Sequence, residues 1–186
     1  MTNYFSSDYH LGHDNIRGYC KRPFDSLYYM NSTIIKNHNE RVKPTDTVFF
    51  LGDFCFRNTK GGKLGEGEIS KAEEYLSQLN GRFVFIGGNH DDNNSLNTPI
   101  IGALLHFGGK SIWCCHRPTD AEEFVDLNLC GHVHEKFKFG KTPGGVPIVN
   151  VGVDVWNFRP IKIDEILNEL QKWEKGKIDE FGKVKE

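Results

Sequence analysis

Residues 47–53 read TVFFLGD, and this stretch decides the fold class. The apolar run from Val48 to Leu51 is short and rich in β-formers, which is typical of a buried strand, and Gly52-Asp53 ends it. Residues 82–91, RFVFIGGNHD, repeat the pattern, and three more apolar runs end in polar clusters at residues 8, 116 and 131–134. Ligands bind where the carboxyl ends of strands converge in α/β sheets. We therefore predict one α/β domain with a single site assembled at five strand ends.

The remaining pattern predicts the other elements. Strands are expected at residues 3–7, 47–51, 82–86, 110–115, 127–130 and 147–153. Apolar residues at three- and four-residue spacing predict helices at residues 27–42, 69–79, 100–107 and 163–173. We expect a single domain over residues 1–174, followed by a charged tail, residues 175–186, that frays.

The composition limits the classes of function. The 186 residues carry a net charge of −2, so the basic surplus typical of duplex-binding proteins is missing. We see no apolar run of membrane-spanning length and no signal peptide, so we expect no membrane partner and a cytoplasmic location. The five cysteines include no C-x-x-C pair, which favours reduced thiols packed as small hydrophobes.

The polar clusters contain residue types that bind metals. The set is Asp8, His10, Asp53, Asn89, His90, His116, His132 and His134. Alternate residues of an extended segment project to the same side, so each D-x-H or H-x-H pair can aim at one point. Imidazole and carboxylate suit manganese, iron, cobalt, nickel and zinc better than calcium or magnesium. Seven ligands beside His90 are too many for one tetrahedral ion but suit two ions that share a bridge, as in phosphatases and nucleases.

These motifs, in this order, resemble those of the calcineurin-like metallophosphoesterases. The matching segments are Asp8-x-His10, Gly52-Asp53, Gly88-Asn89-His90-Asp91, His116 and Gly131-His132-x-His134. The stretches from Ser7 to Ile16, Arg22-Pro23-Phe24 and Trp156 to Pro160 look like a small prokaryotic and phage branch of that family. The resemblance implies two mixed β-sheets in a four-layer α-β-β-α sandwich.

The resemblance also implies a role for each residue. Asp8, His10 and His134 would hold the first ion, Asn89, His116 and His132 the second, and Asp53 would bridge them. We expect two divalent ions, manganese first, with iron, zinc, nickel or cobalt as alternatives. A hydroxide between the ions would attack phosphorus, and the catalytic residue His90 would protonate the leaving-group oxygen. His13 and Arg57 are candidates to contact the substrate phosphate, and Arg22 is a further one; a turn residue and solvated loop charges are the alternatives.

One departure concerns the orientation of His90. Many phosphatases of the family have G-D-x-x-D-R, whereas this chain has Phe56 in place of the second Asp. That Asp usually orients the leaving-group histidine, so another group, such as Asp91 or Asp92, would have to orient His90, or His90 would be less effective.

The sequence is compatible with three functions. We favour a phosphodiesterase or phosphatase, a hydrolase of ester bonds that acts on a nucleotide or another small phosphoester. The second is a nuclease, because Asp8-x-His10-Leu11-Gly12 is similar to the opening of double-strand-break repair nucleases; nucleic acid is a partner that we do not favour. The third is a binding scaffold such as the small retromer subunit, which has lost key catalytic residues. The sequence leaves the oligomeric state open.

Overall fold

The computed structural model of the chain describes residues 1–56, 70–91, 96 and 98–185. The strands are β1 (Asn3–Ser6), β2 (Thr47–Leu51), β3 (Arg82–Ile86), β4 (Gly102–Phe107), β5 (Lys110–Cys115), β6 (Leu127–Cys130), β7 (Phe139–Lys141), β8 (Pro147–Asn150) and β9 (Ile161–Lys162). The helices are α1 (Ile16–Tyr19), α2 (Leu27–Arg41), α3 (Ala72–Leu76) and α4 (Ile163–Glu174), with short 3-10 turns at Pro118–Asp120 and Val153–Val155.

The strands form two mixed sheets, as predicted. The first has the order β3-β2-β1-β9, in which β9 alone is antiparallel to its neighbour. The second has the order β4-β5-β6-β8-β7, with a parallel centre of β5, β6 and β8 and antiparallel strands at both edges. The parallel strands of each sheet therefore end at a common edge, which is where the polar clusters lie.

The main core lies between the two sheets. Phe5 and Leu51 of the first sheet pack with Ile112 and Leu129 of the second, and α4 adds Ile166 to this core. A second core lies on the outer face of the first sheet, where α2 and α3 pack against a cluster of phenylalanines. This arrangement leaves the polar strand ends at one rim of both sheets.

The helix predicted at residues 100–107 is wrong. Residues 102–107 form β4, which pairs with β5 in a tight hairpin. The turn is Gly108-Gly109, and both glycines have positive φ, 57° and 75°. Two left-handed residues between strands are the mark of a type I′ hairpin turn. The apolar residues at 100, 101, 104 and 105 imitate helical spacing, but the Gly-Gly turn overrides it.

The segment after α4 does not fray over the part that the structure describes. Ile178 is buried in the main core with 5% exposure, and it pairs with Val184 across a short turn. The backbone N–H groups of Lys138 and Phe139 donate to the carbonyl of Glu180. Burial of Ile178 and the hydrogen bonds to Glu180 together anchor this charged stretch.

None of the helices in the described ranges combines the length and the apolar content needed to cross a bilayer. The five cysteines are free thiols, four of them buried. Burial raises the pKa of Cys55 and of Cys115 to about 12, so these thiols are unreactive at neutral pH.

Candidate metal centre

The structure brings the seven predicted ligands and His90 together. The loops after β1 and β2 run side by side, since the N–H groups of Asp8 and His10 donate to the carbonyls of Gly52 and Asp53. The second sheet joins them where the N–H of His132 donates to both carboxylate oxygens of Asp8, at 3.1 and 3.0 Å. Side chains that lie more than 120 residues apart along the chain thus share one rim.

Three groups of side chains in the described ranges have ligand atoms within 4.8 Å of one another. They are Asp8-His10-His134, His10-Asp53-His90 and Asp53-His116-His132. The groups overlap at His10 and Asp53. Asp53 belongs to two of them, which agrees with the bridging role that the family resemblance implies.

Four predicted ligands converge around Nε2 of His116. This nitrogen lies 3.1 Å from Oδ1 of Asn89, 3.4 Å from Oδ2 of Asp53 and 3.2 Å from Nδ1 of His132. Donor atoms about 2.1 Å from one tetrahedral ion would be about 3.4 Å apart. The spacing of these atoms therefore fits a shared first-row ion.

The other half of the site contains a buried nitrogen without a partner. His10 is 1% exposed, and its Nε2 has no hydrogen-bond partner among the described residues. It lies 3.5 Å from Oδ2 of Asp53 and 4.0 Å from Oδ1 of Asp8, and Nε2 of His134 is also 4.0 Å from Oδ1 of Asp8. A buried polar atom without a partner destabilises the fold by about 1–3 kcal/mol unless something binds it. A divalent ion held by these side chains would satisfy it.

Two of the histidines are held in the tautomer that metal binding needs. Nδ1 of His116 lies 2.7 Å from the carbonyl oxygen of Leu51, and Nδ1 of His134 lies 3.0 Å from Oδ2 of Asp154. Both Nδ1 atoms must carry hydrogen to donate to these oxygens. Nε2 of each ring is then the atom available to a metal, and its basicity is raised by the acceptor behind it.

The backbone is strained where these ligands sit. Positive φ angles occur at Asp8 (58°), His10 (50°), Asp53 (58°), His132 (69°) and His134 (49°). Side-chain-bearing residues seldom adopt this conformation, which costs on the order of 1 kcal/mol or more at each position. Backbone strain at five of the seven predicted ligands lowers the stability of the fold. Such strain is expected at a site where the direction of each side chain is needed for function.

The neighbouring charges of the site shift the pKa values of several of its side chains. Burial alone would lower the pKa of His116, but its contact with Asp53 and the negative charges of Asp8 and Asp53 raise it to about 9. Burial would likewise lower the pKa of His134, yet the contacts with Asp154 and Cys20 raise it to about 10. Burial would raise the pKa of Asp53, whereas the neighbouring imidazoles hold it below its usual value. For His10 burial dominates and lowers the pKa.

Glycines allow the ligand loops to approach one another. A Cβ on Gly88 would clash with Oδ1 and the backbone nitrogen of Asp53, and a Cβ on Gly131 would clash with Ser7 Oγ and lie 2.5 Å from Oδ2 of Asp8. Contacts this short do not occur in folded proteins. The motifs Gly88-Asn89-His90 and Gly131-His132 therefore require glycine for steric reasons.

His90 lies beside Asp53 and His10. It is half-buried, its N–H donates to Oδ1 of Asp53 at 2.9 Å, and its ring centroid is 5.1 Å from that of His10. His13 is 7% exposed, with its ring 5.9 Å from that of His90 and stacked on Phe56 at 4.7 Å. Phe56 thus occupies the position of the usual Asp with a ring that packs against His13.

Of the residues predicted to orient His90 or to contact phosphate, Asp91 and Arg22 have well-defined partners. Asp91 accepts the N–H groups of Asp53, Phe54 and Gly88, so its carboxylate fixes the backbone of two ligand loops. Arg22 is buried and paired with Asp154, which places it behind the ligands and not in a position to contact phosphate. Asp92 and Arg57 lie outside the described residues. The substrate roles of Arg57 and His13 stay predictions.

Sequence reasoning missed Asp154. It follows β8 after a gap of three residues and has no motif around it, so only its place near another strand end could have pointed to it.

Comparison with known proteins gives a sequence relative and a shared fold. No protein-family model matches the sequence. The chain is 34% identical over 180 residues to the uncharacterised protein MJ1445 of Methanocaldococcus jannaschii, covering 94% of this chain and 93% of that protein. The crystal structure of AQ665, a protein of unknown function from Aquifex aeolicus, superposes with a TM-score of 0.62 at 24% identity, over 90% of this chain and 98% of that one. This likeness shows the fold alone.

A weaker structural likeness extends to a characterised protein. Yfce, a phosphoesterase from E. coli, gives a TM-score of 0.44 at 13% identity, over 88% of this chain and 82% of that one. At that score the likeness carries no information about function.

Proposed function

The chain belongs to the same family as the uncharacterised protein MJ1445 of M. jannaschii, and from the geometry of its site we propose that it is a phosphoester hydrolase that uses two divalent metal ions. The observation that carries the proposal is the position of Asp53, whose Oδ2 lies 3.5 Å from Nε2 of His10 and 3.4 Å from Nε2 of His116, together with the absence of a hydrogen-bond partner for the buried Nε2 of His10 among the described residues. Neither a structural zinc site nor a scaffold requires this arrangement.

Asp8, His10 and His134 would hold one ion, Asn89, His116 and His132 the other, and Asp53 would serve both. When bound, such ions act as Lewis acids and bring a water molecule to its reactive form near neutral pH. We expect manganese at both positions, with iron, zinc, nickel or cobalt as alternatives. This ligand set resembles that of the calcineurin-like metallophosphoesterases, and its opening residues resemble a small prokaryotic and phage branch of them.

The protein side chains supply the rest of the chemistry. A bond forms between a water oxygen and phosphorus while the bond from phosphorus to the leaving-group oxygen breaks. His90 is half-buried beside His10, so its ring can face the leaving group and donate a proton to that oxygen. The N–H of His90 holds the residue in place by donating to Asp53.

Metal analysis and a diester substrate test the proposal. The purified protein should bind two ions per chain and hydrolyse bis(p-nitrophenyl) phosphate with Mn²⁺. A protein that takes up no ion and has no activity with Mn²⁺, Ni²⁺, Co²⁺ or Zn²⁺ would contradict the proposal.

Replacement of His90 tests the assigned proton donor. His90→Ala should lower kcat by about 10²–10⁴-fold, with the larger loss on substrates whose leaving groups are poor, because these need protonation most. Its metal content should stay at the wild-type value. His106→Ala is the matched control, since His106 lies on the exposed face of β4. Loss of both ions in His90→Ala would show that His90 is a ligand instead.

A nucleotide or another small phosphoester is the substrate class that we propose. The panel that tests it contains nucleoside monophosphates, 2′,3′- and 3′,5′-cyclic nucleotides, dinucleotides, single-stranded DNA and phosphopeptides. Turnover of cyclic nucleotides or dinucleotides would support a small diester substrate. An exonucleolytic ladder from DNA would favour the nuclease.

A further inference from the structure

Two stretches that supply no metal ligand pack against each other beside the site. Phe24 and Phe158 are in edge contact with ring centroids 4.7 Å apart, and the guanidinium of Arg22 lies 5.8 Å from the ring of Phe158. Asn157 and Phe158 both have positive φ, and the side chain of Asn37 donates to both of their carbonyls. The chain therefore accepts two strained residues in succession to hold this corner in place.

At the centre of this corner is a buried ion pair. Nε of Arg22 donates to Oδ1 of Asp154 at 2.8 Å, and Nη2 donates to Oδ2 at 2.9 Å. The two side chains are 0% and 3% exposed. This two-point contact fixes the plane of the carboxylate against that of the guanidinium.

Both members of the pair extend to predicted ligands of the first ion. Nη2 of Arg22 also donates to the carbonyl of Asp8 at 2.6 Å, and Nη1 donates to the carbonyl of Tyr9 at 3.0 Å. Oδ2 of Asp154 accepts from Nδ1 of His134 at 3.0 Å. The pair thus touches the backbone of the strained turn that carries Asp8 and His10, and the ring of the third ligand.

We propose that Arg22 and Asp154 are positioning residues for the first ion, setting the directions of Asp8, His10 and His134 together. The proposal rests on the two-ion site proposed above. A buried ion pair adds little stability compared with an apolar pair of the same size, so stability alone does not account for it. A hydrogen-bonded group behind a ligating histidine commonly changes metal affinity by about 10–100-fold.

The proposal predicts an effect on one ion only. Apart from the bonds between them, the hydrogen bonds that the structure describes for Arg22 and Asp154 go to Tyr9, Met30, Asp8 and His134. His116, a ligand of the second ion, is held instead by the carbonyl of Leu51. Removing the charge of Asp154 should therefore lower the affinity for the first ion and leave the affinity for the second ion unchanged.

Single-site backgrounds separate the two ions. His116→Ala removes a ligand of the second ion, so Co²⁺ titrated into this variant, followed by absorbance and calorimetry, reports the first. His134→Ala reports the second in the same way. Asp154→Asn should raise the Kd by about 10–100-fold in the His116→Ala background and leave it within about twofold in the His134→Ala background.

Two further variants distinguish a local effect on metal binding from a general loss of folded structure. Arg22→Lys keeps the charge but cannot make the two-point contact, so it should give the same one-sided loss. Asp126→Asn is the matched control, because this exposed carboxylate accepts from Ser111 far from the site. Circular dichroism without metal checks that each variant is folded.

The outcomes decide between the two proposals. An unchanged first-ion Kd in both Asp154→Asn and Arg22→Lys, or an equal loss in the two backgrounds, would overturn the positioning role while the two-ion site stands. A wild-type protein that binds no ion would overturn the two-ion site, and the positioning role with it.

Discussion

Metal binding at this site should release about two protons at pH 7. The raised pKa values of His116, about 9, and His134, about 10, mean that both imidazoles are protonated at pH 7 before an ion binds. An ion takes the lone pair that the proton occupies, so each ring must lose its proton first. Deprotonation at pH 7 opposes binding by about 3 kcal/mol at His116 and about 4 kcal/mol at His134, at roughly 1.4 kcal/mol for each pH unit.

The sign of the pH dependence follows from these two groups. Below their pKa values both rings hold a proton that competes with the metal, so affinity falls as the pH falls. Between pH 7 and 8 the Kd of each ion should drop about tenfold, because one proton leaves with each ion bound. The dependence should flatten above pH 9 for the second ion and above pH 10 for the first.

Calorimetry in several buffers measures this directly. Mn²⁺ is titrated into the stripped protein at pH 7 in PIPES, MOPS and HEPES, whose ionisation enthalpies differ, and the slope of the observed enthalpy gives the protons released. His116→Gln should reduce the slope by about one proton. His106→Gln, a histidine outside the site, should not change it. A slope near zero for the wild-type protein would refute the reasoning, since it would mean that the rings are neutral before the metal arrives.

Three further predictions concern folding and packing. Gly131→Ala should abolish two-ion binding in metal analysis, because the added methyl group would lie 2.5 Å from Asp8; wild-type stoichiometry would contradict this. Burial lowers the pKa of His38 to about 4, so the stability that depends on its neutral form is complete above its unfolded pKa and is lost as the pH falls toward 4, by about 3 kcal/mol. His38→Gln should therefore flatten the acid limb of the unfolding curve of the stripped protein, and an unchanged limb would count against it. Ile178→Ala should lower the free energy of urea unfolding by about 2–5 kcal/mol, whereas a frayed tail would lose almost nothing.

Much of the fold could be predicted from the sequence because four of the strands have clear signals. Residues 47–51, 82–86, 110–115 and 127–130 are strands with the predicted bounds, because short apolar runs bounded by glycine or polar residues favour strands. Three of the four edge strands, β4, β7 and β9, were harder to predict. β4 carries apolar residues at helical spacing, and β7 and β9 are only three and two residues long.

The gathering of these side chains at one rim was predictable from the sequence, but the residues that hold them in place were not. Histidines and carboxylates at strand ends carry their chemistry in their identity, so His116 could be found without any neighbour. Arg22 and Asp154 have meaning only as a pair, and 132 positions separate them along the chain. Phe56 shows the same limit, because its stacking on His13 depends on a turn whose shape the sequence does not specify.

The left-handed backbone at the ligands has an evolutionary consequence. His132 and His134 hold conformations that glycine or asparagine would adopt more easily, so a lineage without need of the metal would gain stability by replacing them, by about 1 kcal/mol at each position. Natural drift should therefore erase such a site quickly once selection relaxes. On the proposed function the two imidazoles are retained for the metal, and a descendant that had become a scaffold would be expected to show glycine or asparagine there first.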